Sequence, residues 1–232
     1  MTSHLDIIRK TVRDCRACHL VEQCNGPVAL SGRAQATYLV VGEAPGRNED
    51  EQGEPFVGGA GRLLRKQLAQ AGIFQREVAY TNVVRCRPPD NRTPYSSEIE
   101  ACWHNLLVEM AAVEARIVLL AGATALNVFR PDLQISKHSG RPMMLDEGRV
   151  GLGVMHPAAA MRQPGLEKYI ERVVRDAKKR AVKGLWVDWP DDCVVCGEDG
   201  EVADSMGVFY CAGHESKRDA WRGKVARQRA LV

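Results

Sequence analysis

The chain has 232 residues, 45% of them apolar and 26% charged, with a formal net charge of +3. That length and balance fit one globular domain with a small appendage, and they exclude a disordered or collagen-like chain. No apolar run is long enough to span a bilayer, and the start, Met1-Thr2-Ser3-His4, lacks the apolar segment of a secretion signal. The eight cysteines are therefore expected in a reducing, cytoplasmic setting. There, clustered Cys bind metal more often than they form disulfides. The mild basicity is compatible with nucleic acid without demanding it.

In chain order, Leu5, Ile8 and Val12 fall at helical spacing and predict a helix over 5–13, leading into Cys15 and Cys18. Residues 24–35, with Gly26, Pro27 and Gly32, read as loop. The apolar run 37–41 is the first strand. Gly42-Glu43-Ala44-Pro45-Gly46 then forces a sharp turn, and Gly53 through Gly61 continues a glycine-rich loop that holds Glu49, Asp50 and one lone Phe56. In an open α/β sheet such a loop lies at the carboxyl ends of strands, where ligands bind. A helix over 60–71 and a strand over 78–84 follow, then a proline-rich loop over 87–94. Ser97 and Glu100 resemble a capping box opening a helix to about residue 113. Residues 117–121 read as a central strand, 125–129 as helix, 149–155 as a short strand ended by His156-Pro157, and 166–183 as a basic amphipathic helix. Strands alternating with helices predict a three-layer α/β/α fold around a mostly parallel sheet. Composition shifts after Gly184, so the domains are expected at 1–184 and 185–232.

Two cysteine sets stand out. Cys15-x2-Cys18 could converge with Cys86, at a strand exit, and Cys102, early in the next helix. Four Cys suit zinc or an iron–sulfur cluster, and Cys86 and Cys102 could also be small buried apolar groups. Cys24 is left over and reads as structural. Cys193-x2-Cys196 and Cys211-x2-His214 have the two-knuckle spacing of a small zinc site, whose metal would supply most of the segment's folding free energy. A basic tail, with Lys217, Arg218, Arg222, Lys224, Arg227 and Arg229, follows it.

Read together and in order, Cys15-x2-Cys18-His19-Leu20, Gly42-Glu-Ala-Pro-Gly46, Gly53-Glu-Pro-Phe-Val-Gly58, Thr81-Asn-Val-Val-Arg-Cys-Arg-Pro-Pro89, Asn91-Arg92, Ala101-Cys102 and His156-Pro-Ala-Ala-Ala-Met-Arg162 resemble the type-4, iron–sulfur-containing uracil-DNA glycosylases. The resemblance covers roughly residues 10–180. It implies a [4Fe-4S] cluster on Cys15, Cys18, Cys86 and Cys102, and hydrolysis of the N-glycosidic bond of deoxyuridine in DNA.

Each implied role has a chemical reason. A glycosylase must swing its nucleotide out of the stack and read the base in a pocket. Phe56 offers a face for uracil, beside Gly42 and Ala44. Asn82 can donate to O4 and accept from N3–H, a pattern that cytosine reverses. A neutral His156 imidazole aimed at O2 would stabilise the charge that grows there as the bond breaks. Glu43 would position water or the sugar, and Glu49 would stand beside C5, where thymine carries a methyl group. Met161 or Ala160 would fill the vacated place in the duplex, with Arg162 and Arg92 on the DNA. The C-terminal zinc segment lies outside this resemblance, and DNA grip, partner docking or stabilisation are its open roles; a replication or repair partner could dock there. A monomer is expected. The competing readings are a non-catalytic DNA-binding protein on the same fold and an iron–sulfur electron-transfer protein.

Overall fold

Apolar runs become the strands. The computed structural model describes residues 3–146 and 149–183 and two short strands further on. In chain order the elements are α1 (His4–Arg13), β1 (Tyr38–Gly42), α2 (Arg47–Gln52), α3 (Gly59–Gln70), β2 (Val78–Asn82), α4 (Ser96–Ala111), β3 (Ile117–Ala121) and α5 (Ala123–Phe129). They continue with α6 (Ile135–His138), β4 (Pro142–Asp146), β5 (Arg149–Val154), α7 (Pro157–Arg162) and α8 (Glu167–Lys183). β6 (Val202–Ala203) and β7 (Phe209–Tyr210) pair antiparallel. The zinc set proposed on Cys193, Cys196, Cys211 and His214 lies outside the described residues, as does the basic tail.

The main sheet has five strands in the order β2-β1-β3-β5-β4. Four run parallel, and β4 pairs antiparallel with β5 at one edge. Because side chains alternate along a strand, each strand feeds two cores. Leu39, Val41, Val118 and Leu120 pack with Leu5 of α1, Leu106 and Met110 of α4, and Leu126 of α5. Tyr38, Val40, Ile117 and Leu119 face the other way, against Leu64 and Leu68 of α3 and Ile170, Val173 and Val174 of α8. The result is a three-layer α/β/α sandwich, as the alternation of elements predicts. Each such fully buried aliphatic side chain contributes about 1.5–3 kcal/mol of burial.

Several elements depart from the sequence expectation. The cap of α4 is Tyr95, not Ser97: the Glu98 carboxylate accepts from the Tyr95 N–H at 2.7 Å, while Glu100 takes no part. α2 is an unforeseen helix between Gly46 and Gly53, the latter left-handed at φ +65°. β4 was also not expected; its Pro142 lacks a ladder donor, a loss that is tolerated at the sheet edge. The residues after His156 form the short helix α7 rather than an open loop.

Among the described residues no helix is long and apolar enough to cross a membrane.

Candidate active site

The chain leaves β1 for β2 on one side and returns to β3 on the other. A crevice opens at such a reversal, outside the carboxyl ends of the strands. Here it is a cleft of about 510 Å³. All four parallel strands end in it: β1 supplies Gly42, Glu43 and Ala44, β2 supplies Asn82, β3 supplies Gly122 and Ala123, and β5 leads to His156. Phe56, Glu49, Arg92 and Arg162 also line it. Phe56, Asn82 and His156, three sequence-selected residues, therefore share one cavity.

Gly42 and Asn82 stand opposite each other in the ladder. A methyl group on Gly42 would collide with Asn82 Oδ1 and stand 2.8 Å from Phe56 Cζ. Glycine is what lets the amide and the ring approach this closely. Asn82 is only 3% exposed. Its side-chain amide borders the cleft and has no hydrogen-bond partner among the described residues. Its backbone carbonyl is held by the buried Arg85 guanidinium, which pairs with Glu109 at 2.7 Å.

Phe56 sits at φ +59°, a backbone region that bulky L-residues seldom adopt. Arg65 holds it there, its Nε donating to the Phe56 carbonyl at 3.1 Å and its Nη2 to Pro55 at 3.2 Å. The ring leans on Tyr80, centroids 5.4 Å apart, and Arg65 covers the Tyr80 ring. Backbone strain of this kind costs of order 1–3 kcal/mol and collects at functional sites.

His156 caps α7. Its Nδ1 accepts from the Ala158 N–H at 3.2 Å, so the ring proton resides on Nε2. Burial lowers the His156 pKa below the usual 6.5; the Arg162 charge lowers it further and the Glu43 charge opposes both. The imidazole is thus neutral at pH 7. Behind it, Gly122 at φ +98° leaves room that a methyl group, 2.9 Å from His156 Cδ2, would take. The Glu43 carboxylate accepts from the Thr124 hydroxyl. The two Glu49 oxygens accept from the Gly46 N–H at 3.2 Å and the Gly58 N–H at 2.6 Å. This carboxylate joins the two glycine-rich turns and is fixed at the cleft wall.

The DNA candidates separate. Met161 is 55% exposed, whereas Ala160 is fully buried in the core beneath α7 and has no surface to offer a duplex. Arg162 lines the cleft with no ion-pair partner among the described residues. Arg92 also lines it, but its guanidinium is held in a two-pronged ion pair with Glu98, at 2.8 and 2.6 Å. A phosphate would have to compete with that carboxylate.

Cys15, Cys18, Cys86 and Cys102 line a second, apolar cavity together with Leu20, Val21 and Pro27. All four are free thiols, as is Cys24. Burial pushes Cys86 and Cys102 above the ordinary thiol range, and Cys24, hydrogen-bonded to Cys86, adds to the shift at Cys86. The Arg85 N–H donates to Cys102 Sγ and the Asn105 amide to Cys15 Sγ, both at 3.3 Å. Among the described residues no group of three or more His, Cys, Asp or Glu is arranged to hold a metal ion. The donor set still suits an iron–sulfur cluster: four sulfurs around one apolar cavity, two of them with N–H donors.

Arg65, Gly122 and Thr124 escaped the sequence reading. Gly122, just past a strand, carried a usable signal; Arg65 and Thr124 sit in ordinary helical surroundings and carried none.

Residues 31–178 match the model of the uracil DNA glycosylase superfamily. The chain is similar to a type-4 uracil-DNA glycosylase of Thermotoga maritima, 35% identical over 76% of this chain and 92% of the relative. It is similar to those of Archaeoglobus fulgidus, 37% identical over 72% and 88%, and Pyrobaculum aerophilum, 34% identical over 70% and 87%. A shared superfamily model over most of the domain, with relatives matched along nearly their whole length, leaves one assignment: the chain belongs to the type-4 uracil-DNA glycosylase family.

Proposed function

We propose that this protein removes uracil from DNA by hydrolysing the N-glycosidic bond of an extruded deoxyuridine, leaving an abasic site. The observation that carries the reading is the convergence of Phe56, Asn82 and His156 on one cleft, where the Asn82 amide has no hydrogen-bond partner among the described residues. An amide that faces a cleft keeps both its donor and its acceptor available to a ligand. Uracil does so, accepting from Nδ2 at O4 and donating from N3–H to Oδ1; cytosine presents the opposite pattern.

The base would stack on Phe56 while Gly42 keeps the slot narrow. The rigid Glu49 carboxylate would stand at C5, excluding thymine's methyl group. As the N1–C1′ bond breaks, its electron pair goes to the base and the sugar becomes cationic. The His156 Nε2–H would meet the charge developing on O2, a preorganised donor in a water-poor site. Glu43 would place the water that adds to C1′, and the water's proton leaves to solvent or to the departing base. Met161 would occupy the vacated position in the duplex and Arg162 would hold a phosphate.

Cys15, Cys18, Cys86 and Cys102 would hold a [4Fe-4S] cluster. When bound, it would act as a structural tie between the N-terminal segment and the Cys86–Cys102 stretch, since these residues line a cavity separate from the cleft. Cys193, Cys196, Cys211 and His214 would bind zinc. Free thiols fit a reducing compartment such as the cytoplasm.

The test is incubation with uracil-containing single- and double-stranded DNA, followed by alkaline cleavage at abasic sites. Strand scission at the uracil position is expected. Scission no greater than in a no-enzyme control would favour a non-catalytic DNA-binding protein on this fold.

A further inference from the structure

Beside the cleft stands an aromatic ring that the proposed chemistry does not use. Tyr95 is 58% exposed. It lies next to Arg92, which lines the cleft with Pro88 and Asn91. The Arg92 Cζ is 3.8 Å from the Tyr95 ring centroid, so guanidinium and phenol form two stacked layers. Both residues are tied to Glu98, Arg92 by its side chain and Tyr95 by its backbone. Glu98, almost fully buried, grips Arg92 with both oxygens and takes the Tyr95 N–H at 2.7 Å. His19 Nε2 meets the same carboxylate at 3.1 Å. The other exposed aromatics differ: neither Phe74 nor Tyr169, nor the cation beside each, lines the cleft.

A flat, exposed ring stacked on an arginine that lines the cleft suits one kind of ligand. Every nucleobase has a π-face, and stacking on aromatic side chains is how unpaired strands are held. The Arg92 charge is already matched by Glu98, so its part here is that of a backing layer rather than a phosphate hook. We propose that the outer face of Tyr95 is a stacking ledge for the nucleobase next to the extruded one. The proposal rests on DNA being the substrate. It adds a subsite that would favour strands whose neighbouring base is free to leave its own stack.

The side chain can be changed safely, because Tyr95 caps α4 through its backbone. The experiment uses oligonucleotides carrying 2′-fluorodeoxyuridine, whose fluorine disfavours the sugar cation and blocks turnover. 2-Aminopurine is placed immediately 5′ or 3′ of it. On binding to the wild-type chain or Tyr95→Trp, fluorescence at one of the two positions should be quenched. With Tyr95→Leu the quenching should vanish and affinity should fall roughly tenfold. Equal fluorescence and equal affinity for wild type and Tyr95→Leu at both positions would overturn the ledge. Excision by the wild-type chain, measured in parallel, separates the two claims. Uracil release without Tyr95-dependent quenching sinks the ledge alone, and no release at all sinks the activity.

Discussion

Asn82 is the residue whose environment asks most plainly for a ligand. Since its amide makes no hydrogen bond among the described residues, Asn82→Ala should leave the melting temperature near wild type. Single-turnover excision should nevertheless fall about 100-fold or more, the scale of losing one preorganised donor. A parallel drop in melting temperature would make Asn82 a structural residue instead. His156 makes a second prediction, with a sign set by burial. Its pKa lies below 6.5, so the neutral, Nε2-protonated ring persists through pH 7 and above. Excision should be flat in pH there, as far as this group is concerned. It should decline as pH falls through the lowered pKa, because protonation also breaks the bond from the Ala158 N–H. A kcat/KM profile in wild type and His156→Ala checks this: the acid limb should disappear with the imidazole. Phe56, Asn82 and His156 could be picked out in the sequence because Phe56 stands alone in a glycine-rich turn, Asn82 is a polar residue closing an apolar strand and His156 follows one. Met161 and Ala160 could not be told apart there, since the helical phase that buries one and exposes the other belongs to a helix the sequence did not announce.

At the scale of elements, the N-terminus of α4 is a clamp built on Glu98. Arg92 and the Tyr95 N–H hold its carboxyl below the usual carboxylate range, the Arg92 hydrogen bonds first. The stability it adds is complete above the unfolded value near 4.5 and is lost as pH falls through the lower folded value. Glu98→Gln should therefore lower the melting temperature more at pH 7 than at pH 3. An equal loss at both pH values would contradict the clamp. The sequence misplaced this cap because Ser97 and Glu100 satisfy the local pattern, whereas the residues that win are fixed by Arg92 across a turn. β4 was hidden for a related reason: only its place at the edge makes Pro142 acceptable, and edges are a property of the assembled sheet.

For the whole molecule, the alternation of apolar runs with amphipathic helices was enough to read the layers, because each strand must bury both faces. Ile170→Ala, emptying a fully buried site under α8, should cost about 2–5 kcal/mol, visible as a lower denaturation midpoint. What the sequence could not supply was the strand order, which brings four strand ends to one crevice. The separate cysteine cavity predicts that Cys102→Ser lowers bound iron and stability together; iron content and melting curves that match wild type would remove that role. The most direct measurement is single-turnover base release from matched oligonucleotides carrying uracil, thymine or cytosine at one position. The account predicts rapid release of uracil alone, abolished together by Asn82→Ala and His156→Ala in folded protein. Release of cytosine as readily as uracil, or wild-type rates in both variants, would contradict it.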